Sequence, residues 1–224
     1  MNNLSLSHTE ENYLKVIYSL EKETSGKIQN LSIAEKLDIN PATVTEMLKK
    51  LQEKKFIDYN RVDGASLSKQ GNLIALRIIR KHRLWETFLE EKLHFSWDEV
   101  HEIAEQLEHI HSDKLIDRLD EHLGFPKFDP HGDPIPDGQG RIPETHYIAL
   151  AHVKKTGKYR LDAVSNESKL FLQYLDKIQL NINDEIEVKE MLEFDKSLVV
   201  TLNGKTNTMF SHDAAKSLFV TPLD

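Results

Sequence analysis

The 224 residues contain no cysteine, only 9 glycines and 7 prolines, and 8% aromatics. The missing thiols exclude disulfides, cysteine nucleophiles, thiolate zinc sites and iron–sulfur clusters. Any bound metal must therefore sit on nitrogen and oxygen. No apolar run approaches the roughly 18 to 20 residues that span a bilayer, and the polar start MNNLSLSHTEEN lacks the layout of a signal peptide. The expectation is a cytoplasmic protein of two or three small domains with no membrane partner. Glycine-rich phosphate loops, nucleophile elbows and the H-E-x-x-H pattern are also missing, so an enzyme, including a metal-dependent hydrolase, and a small organic substrate are not expected.

What is present is unevenly distributed. The formal net charge is −8, yet residues 1–70 carry 10 Lys or Arg against 10 acids, whereas residues 71–142 carry 9 against 15. That middle segment also holds 7 of the 11 histidines. An acidic, histidine-rich segment points to cation binding, and a neutral first segment leaves room for a local DNA-reading face. Five prolines and four glycines fall within 124–143, GFPKFDPHGDPIPDGQGRIP, which reads as an extended linker. Helical patterns precede it and strand-like patterns follow. The division expected is 1–70, 71–123, the linker 124–144, and 145–224.

In the first segment Thr9 can cap a helix with Tyr13, Leu14, Ile17, Tyr18 and Leu20 on its apolar side, stopping near Ser25-Gly26. A short helix over 32–37, the tight DINP, and a longer helix over 41–54 with Pro41 in its first turn form a helix-turn-helix. Phe56 to Tyr59, the turn Val62-Asp63-Gly64 and the return Ala65 to Leu67 add a wing, and Ser68 caps the next helix. The residues expected to face double-stranded DNA are Thr43, Thr45, Glu46, Lys49 and Lys50, with Arg61 and Lys69 on phosphates.

The helix over 69–94 places His82 and Glu86 four residues apart on one face. A further helix is expected from about Ser96 to about Leu123. At about 100° per residue, His101, Glu105, Glu108 and His109 fall in an arc about 100° wide, apart from Val100, Ile103, Leu107 and Ile110. Imidazoles and carboxylates together suit first-row divalent ions; the alternative is an ordinary solvated face. His94, His111, His122 and His131 read as surface histidines.

The segments TEENYLKVIYSLE, IAEKLDINPATVTEMLKKLQEKKFI, LSKQG, RKHRLWETFL, VHEIAEQLEHIHSDKLIDRL and DPHGDPIP, in this order, resemble the diphtheria toxin repressor family of metal-dependent transcription factors. The resemblance covers the whole chain. It implies a mainly α protein with a β C-terminal domain: a winged-helix DNA-binding domain, a helical metal-binding and dimerisation domain, and an SH3-like domain. It also implies a homodimer that divalent metal organises on operator DNA, usually to repress metal-uptake genes. Carried over, His82, Glu86 and His101 match one cation site, and Glu105, Glu108 and His109 with Asn12 match the other. The iron-responsive branch has cysteine at the position of Glu105 and methionine at that of Asn12, so oxygen here favours Mn2+, with Fe2+ as the alternative. Lys15 stands where short manganese regulators have a carboxylate. A winged-helix regulator without metal is the nearer rival reading.

After residue 145 the chain reads as short strands, IALAHV, YRLDAV, DEIEVKEML, SLVVTLNGK and SLFVTP, with a helix around 168–177, which suggests a small barrel. Asn203-Gly204 is a hairpin signal. The resemblance to the SH3-like module carries over Gln173 as a further ligand. Leu170 stands at the family's Glu position. The module could also serve structure alone, or dock the proline-rich segment.

Overall fold

A computed structural model describes residues 6–24, 26–165 and 168–223, and the chain divides into two compact units. The first unit comprises the residues up to His82 with Leu107–Asp113 and Pro136–Arg141. Helix α1 is His8–Glu23. Its cap is Ser7 rather than Thr9: the Ser7 hydroxyl accepts the Glu10 N–H and the Glu10 carboxylate accepts the Ser7 N–H. The pattern Ser-x-x-Glu satisfies two end donors at once, which Thr9-x-x-Asn12 cannot do. Thr24 closes the helix, and the expected stop at Ser25 lies outside the described residues.

Helix α2 is Asn30–Leu37, two residues longer at its start than expected, and Asp38 ends it in the left-handed region. Asn40 then caps α3, Pro41–Glu53, through the Ala42 N–H. Strands β1 (Ile57–Asn60) and β2 (Gly64–Leu67) pair antiparallel from Ile57↔Leu67 to Asn60↔Gly64. This is the wing. Its return strand is tied to the chain before α2 by Ile28↔Ala65 and to α1 by the Leu67 N–H on Glu21. Leu14, Ile17, Ile33, Leu48, Leu51 and Ile57 are fully or almost fully buried, and these are the apolar positions of the helical and strand periods. Helix α4, Lys69–Leu93, follows, with the Ser68 hydroxyl accepting the Gly71 N–H.

The second unit contains Arg83–Gln106, Lys114–Ile135 and the residues from Ile142 on. Past α4, His94 takes a positive φ. The continuous helix expected from Ser96 to Leu123 is instead two helices, α5 (Val100–Leu107) and α6 (Asp113–His122). The Ser96 hydroxyl bonds Asp98 and Glu99 rather than capping α5. Leu84, Ile116, Leu119 and Ile135 form a small core with Trp85, Phe88 and Leu123.

The segment read as an extended linker is ordered by turns. Phe128 bridges Pro134, and the Ile135 N–H donates to Lys127. Beyond it lie β3 (Ile148–Ala149), β4 (Gly157–Val164), α7 (Lys169–Lys177), β5 (Glu185–Met191), β6 (Leu198–Leu202), β7 (Thr206–Phe210), α8 (His212–Lys216) and β8 (Leu218–Pro222). The strands form one antiparallel sheet in the order β3-β8-β4-β5-β6-β7. IALAHV is a strand for two residues only and then turns as a 3-10 helix over Leu150–His152. Asn203 and Gly204 both have positive φ, as the hairpin signal requires. Leu161, Leu172, Ile186, Val200 and Phe210 fill the core between the sheet and α7.

No described helix is long and apolar enough to cross a membrane.

Candidate metal centre and DNA-reading face

In the first unit, the first turn of α1 carries two adjacent buried carboxylates, Glu10 and Glu11. Glu11 Oε2 lies 2.5 Å from His109 Nδ1, and the His8 ring stacks on His109 with centroids 4.3 Å apart. Glu108 is fully buried; its Oε2 is 2.6 Å from His82 Nδ1, and both its oxygens accept from Lys15 Nζ, at 2.7 and 2.8 Å. Burial pushes the Glu108 carboxyl upward, but the His82 hydrogen bond and the Lys15 charge outweigh it and hold it below its ordinary value. Asn12 Oδ1 is buried with no hydrogen-bond partner among the described residues.

This overturns the single His/Glu helix face. Helix α5 ends at Leu107, so Glu108 and His109 occupy the turn after it and no longer follow the spacing of His101 and Glu105. Periodicity holds only while the helix continues. Glu11 was missed because it sits in an ordinary capping segment, where an acid is favoured at the helix start in any case.

The second unit gathers a separate set around Glu86, which is fully buried. His101 Nδ1 is 3.2 Å from Glu86 Oε1, and His101 Nε2 is 3.6 Å from Glu105 one turn on. His131 Nδ1 is 3.9 Å from the same Glu86 oxygen. Glu86, Asp129 and His131 each offer a ligand atom within 4.8 Å of the others'.

His131 is not a surface histidine; its exposure is 0%. Its Nε2 lies 2.8 Å from the Trp97 carbonyl oxygen. A carbonyl only accepts, so Nε2 bears the hydrogen, and in the neutral ring Nδ1 keeps the lone pair. Neither His131 Nδ1 nor Asp129 Oδ2 makes a hydrogen bond among the described residues, although Arg83 Nε stands 3.6 Å from the latter. Buried polar atoms are nearly always satisfied; two orphaned acceptors beside a buried carboxylate are what a cation would satisfy. Burial, with Asp133 and Glu86 nearby, pushes the Asp129 carboxyl well above its usual value.

The other Asp129 oxygen builds the loop. Oδ1 accepts the N–H groups of His131 and Asp133 at 2.9 and 3.0 Å, and the Asp129 N–H donates to the Asp133 carbonyl. Gly132 has φ +84°, and a Cβ there would lie 2.0 Å from the Asp162 carbonyl oxygen. Gly132→Ala is therefore expected to cost several kcal/mol, roughly 3 or more from positive φ and backbone collision together, read as a lower Tm.

The sequence signal for this loop was present in Asp129-Pro-His131-Gly132-Asp133, but the surrounding prolines made it read as a spacer. Gln173, carried over as a ligand, donates its Nε2 hydrogen to Asp98 Oδ2 at 2.9 Å.

On the first unit's α3, Thr43, Glu46, Lys49 and Lys50 are exposed, as are Arg61 at the wing tip and Lys69 at the start of α4. Thr45 departs from expectation. It is half-buried, accepts from Asn30 Nδ2 at 2.9 Å and donates to the Pro41 carbonyl. Asn30 also donates to the Tyr59 hydroxyl, so Asn30 ties α2 to α3 through Thr45 and to the wing through Tyr59. Lys50 lies 3.2 Å and Lys54 2.6 Å from Glu10 Oε1. Burial would raise the Glu10 carboxyl; Lys54, the Ser7 N–H and Lys50 together hold its pKa at about 2.

Comparison with known proteins places this architecture. Residues 5–65 match the iron dependent repressor N-terminal DNA binding domain, residues 68–137 the iron dependent repressor metal binding and dimerisation domain, and residues 148–222 the FeoA domain. The iron-dependent repressor IdeR of Mycobacterium tuberculosis is 34% identical over 131 residues, 58% of this chain and 56% of that protein, so the match spans little more than half of that relative's length. The HTH-type transcriptional regulator MntR of Oceanobacillus iheyensis is 34% identical over 119 residues, 53% of this chain and 80% of that protein. A solved manganese-dependent transcriptional repressor in complex with manganese superposes with a TM-score of 0.89 at 32% identity, covering 96% of this chain and all of that one. With its winged helix, its helical segment and its C-terminal sheet all matched in order, the chain belongs to the iron-dependent repressor family, that of the diphtheria toxin repressor.

Proposed function

We propose that the protein is a cytoplasmic, metal-dependent transcriptional repressor that binds double-stranded operator DNA as a homodimer and controls metal-uptake genes, with Mn2+ as the activating ion. The observation that carries the reading is the pair of buried, orphaned acceptors on Asp129 and His131 beside Glu86. His82, one turn before Glu86 on α4, and His101 complete this first set. The donors are imidazole nitrogens and carboxylate oxygens without sulfur, and they fit a divalent first-row ion. The ion would supply positive charge and fixed coordination, and this function requires no catalysis from it.

The family resemblance groups Glu105, Glu108 and His109 with Asn12 as the second set; of these Glu108, His109 and Asn12 belong to the first unit, where Glu11 adds a carboxylate. Lys15 already neutralises Glu108 there, so a cation has to displace an ammonium and this set fills after the first. Residues 1–70 read the DNA, 71–123 bind metal and dimerise, 124–144 connect, and 145–224 form the SH3-like domain. On the DNA face the exposed Thr43 and Glu46, with the half-buried Thr45 held by Asn30, address base edges, and Lys49, Lys50, Arg61 and Lys69 address phosphates. Fe2+ is the second reading, favoured by the iron-dependent relative and by the higher place of iron in the affinity order.

The test is operator binding, with fragments selected from the genome by the protein itself, in chelated buffer and then at controlled free Mn2+, anaerobic Fe2+, Co2+ and Zn2+. Tightening by Mn2+ at the lowest free concentration is expected. Activation by Fe2+ alone would reassign the ion, and an unchanged affinity with every ion would remove the metal from the function.

A further inference from the structure

Two neighbouring side chains in the first turn of α1 face different partners. Glu11 reaches His109, in the turn that also carries Glu108. Glu10 reaches the C-terminal turn of α3, where Lys54 Nζ sits 2.6 Å and Lys50 Nζ 3.2 Å from the same oxygen. Its other oxygen holds the Ser7 N–H. Glu10 is 1% exposed, so this is a desolvated, multiply bonded carboxylate and not a surface ion pair of negligible worth. Consecutive helical residues move together because the backbone between them is fixed by α-helical hydrogen bonds. A displacement of the α1 first turn is thereby a displacement of the anchor that holds the end of α3.

We propose that Glu10 is the positioning residue through which the state of the Glu11/His109/Glu108 cluster reaches the recognition helix, by clamping Lys54 and Lys50. The proposal rests on the metal-dependent repressor reading and adds to it the mechanical link. Lys54 lies outside the DNA-facing set, which separates the clamp from direct contact with phosphate. Lys50 belongs to both: with its ammonium drawn toward Glu10, its reach toward DNA depends on where α1 stands.

The experiment compares the wild type, Glu10→Gln and Lys54→Met in full-length protein. Operator affinity is measured in chelated buffer and in saturating Mn2+, and Mn2+ affinity with and without the operator fragment. Coupling is reciprocal, so a cation that tightens DNA binding must itself be bound more tightly on DNA by the same factor.

In both variants the Mn2+-induced gain in operator affinity is expected to fall at least about fivefold, the lower end of ordinary allosteric coupling. The operator-induced tightening of Mn2+ should fall by the same factor. Affinity for DNA in chelated buffer and for Mn2+ in the absence of DNA should stay within about twofold, and the double variant should lose no more than either single one. An equal loss with and without Mn2+ would reduce Glu10 to a structural residue and overturn the proposal. So would an equal rise on any DNA, which would mean that only a repelling charge had been removed, and so would an intact gain in both variants. If the wild type itself shows no gain with Mn2+, the repressor reading fails first, and the two failures are thereby distinguished.

Discussion

Glu86→Gln is expected to weaken the first cation at least about a hundredfold, the largest single-residue effect on metal binding in the molecule. Its Oε1 is the point shared by His101, at 3.2 Å, and His131, at 3.9 Å, and the side chain is fully buried. Glutamine keeps the volume and one acceptor oxygen, removes the charge and turns the other oxygen into an NH2 donor. Even outer-shell partners of metal ligands typically contribute about 10 to 100-fold, and a carboxylate at the centre of the set should exceed that. His101→Ala should cost less, because His101 is 41% exposed and water can replace it. Mn2+ titration followed by the electron paramagnetic resonance of the free ion measures both. A Glu86→Gln affinity within threefold of the wild type would move the cation away from Glu86 altogether.

Asp129→Asn should change stability in opposite directions with and without the ion. In chelated buffer the wild type buries an acid whose Oδ2 accepts no hydrogen bond among the described residues and has Arg83 Nε at 3.6 Å. Asparagine keeps the Oδ1 that organises His131 and Asp133, and Arg83 keeps its bond to the Pro134 carbonyl at 2.6 Å and Asp133 at 3.4 Å. Removing a desolvated acid whose ionic partner at this oxygen stands 3.6 Å away, while Arg83 keeps its other partners, is expected to stabilise by about 1 kcal/mol. In Mn2+ the order reverses. An ion held at about 100 times its Kd adds roughly 2.7 kcal/mol to the wild type, and the variant should gain almost none of it. Thermal unfolding in chelator and in Mn2+ reads both signs. A variant that is destabilised in chelator and still rises with Mn2+ would show that Asp129 is a structural acid and no ligand.

The parts of this architecture legible in the sequence are those whose cause is local. Pro41 after Asn40, the alternation of the wing and the Asn203-Gly204 turn each carry their reason within a few residues. The α1 cap was also local, and the Ser7-x-x-Glu10 box gives it where a single hydroxyl at Thr9 misleads. Glu108 and His109 were recognised as ligand types but assigned a helical geometry that α5 abandons at Leu107. Nothing within the repeat announces that break; Glu108 is held by Lys15 and His82, 93 and 26 residues away. Asp129 and His131 were hidden for the same reason. Their partners are Glu86 and the Trp97 carbonyl, and the need for Gly132 comes from Asp162 and Ala163. Helical spacing likewise cannot show that Asn30 arrives to bond Thr45.

The turn at Asp129 also bears on speed. Its hydrogen bonds to His131 and Asp133, and the backbone bond from Gly132 to Asp129, are all made by the chain itself. On the reading proposed above, an ion at the first set would find the Asp129–Asp133 turn already formed. The free energy of capture is not diluted by lost chain entropy, and the step that remains is the exchange of hydration water for side-chain atoms. On that reading the response to a falling or rising ion concentration is expected to follow the pace of that exchange, with no folding step between arrival and capture.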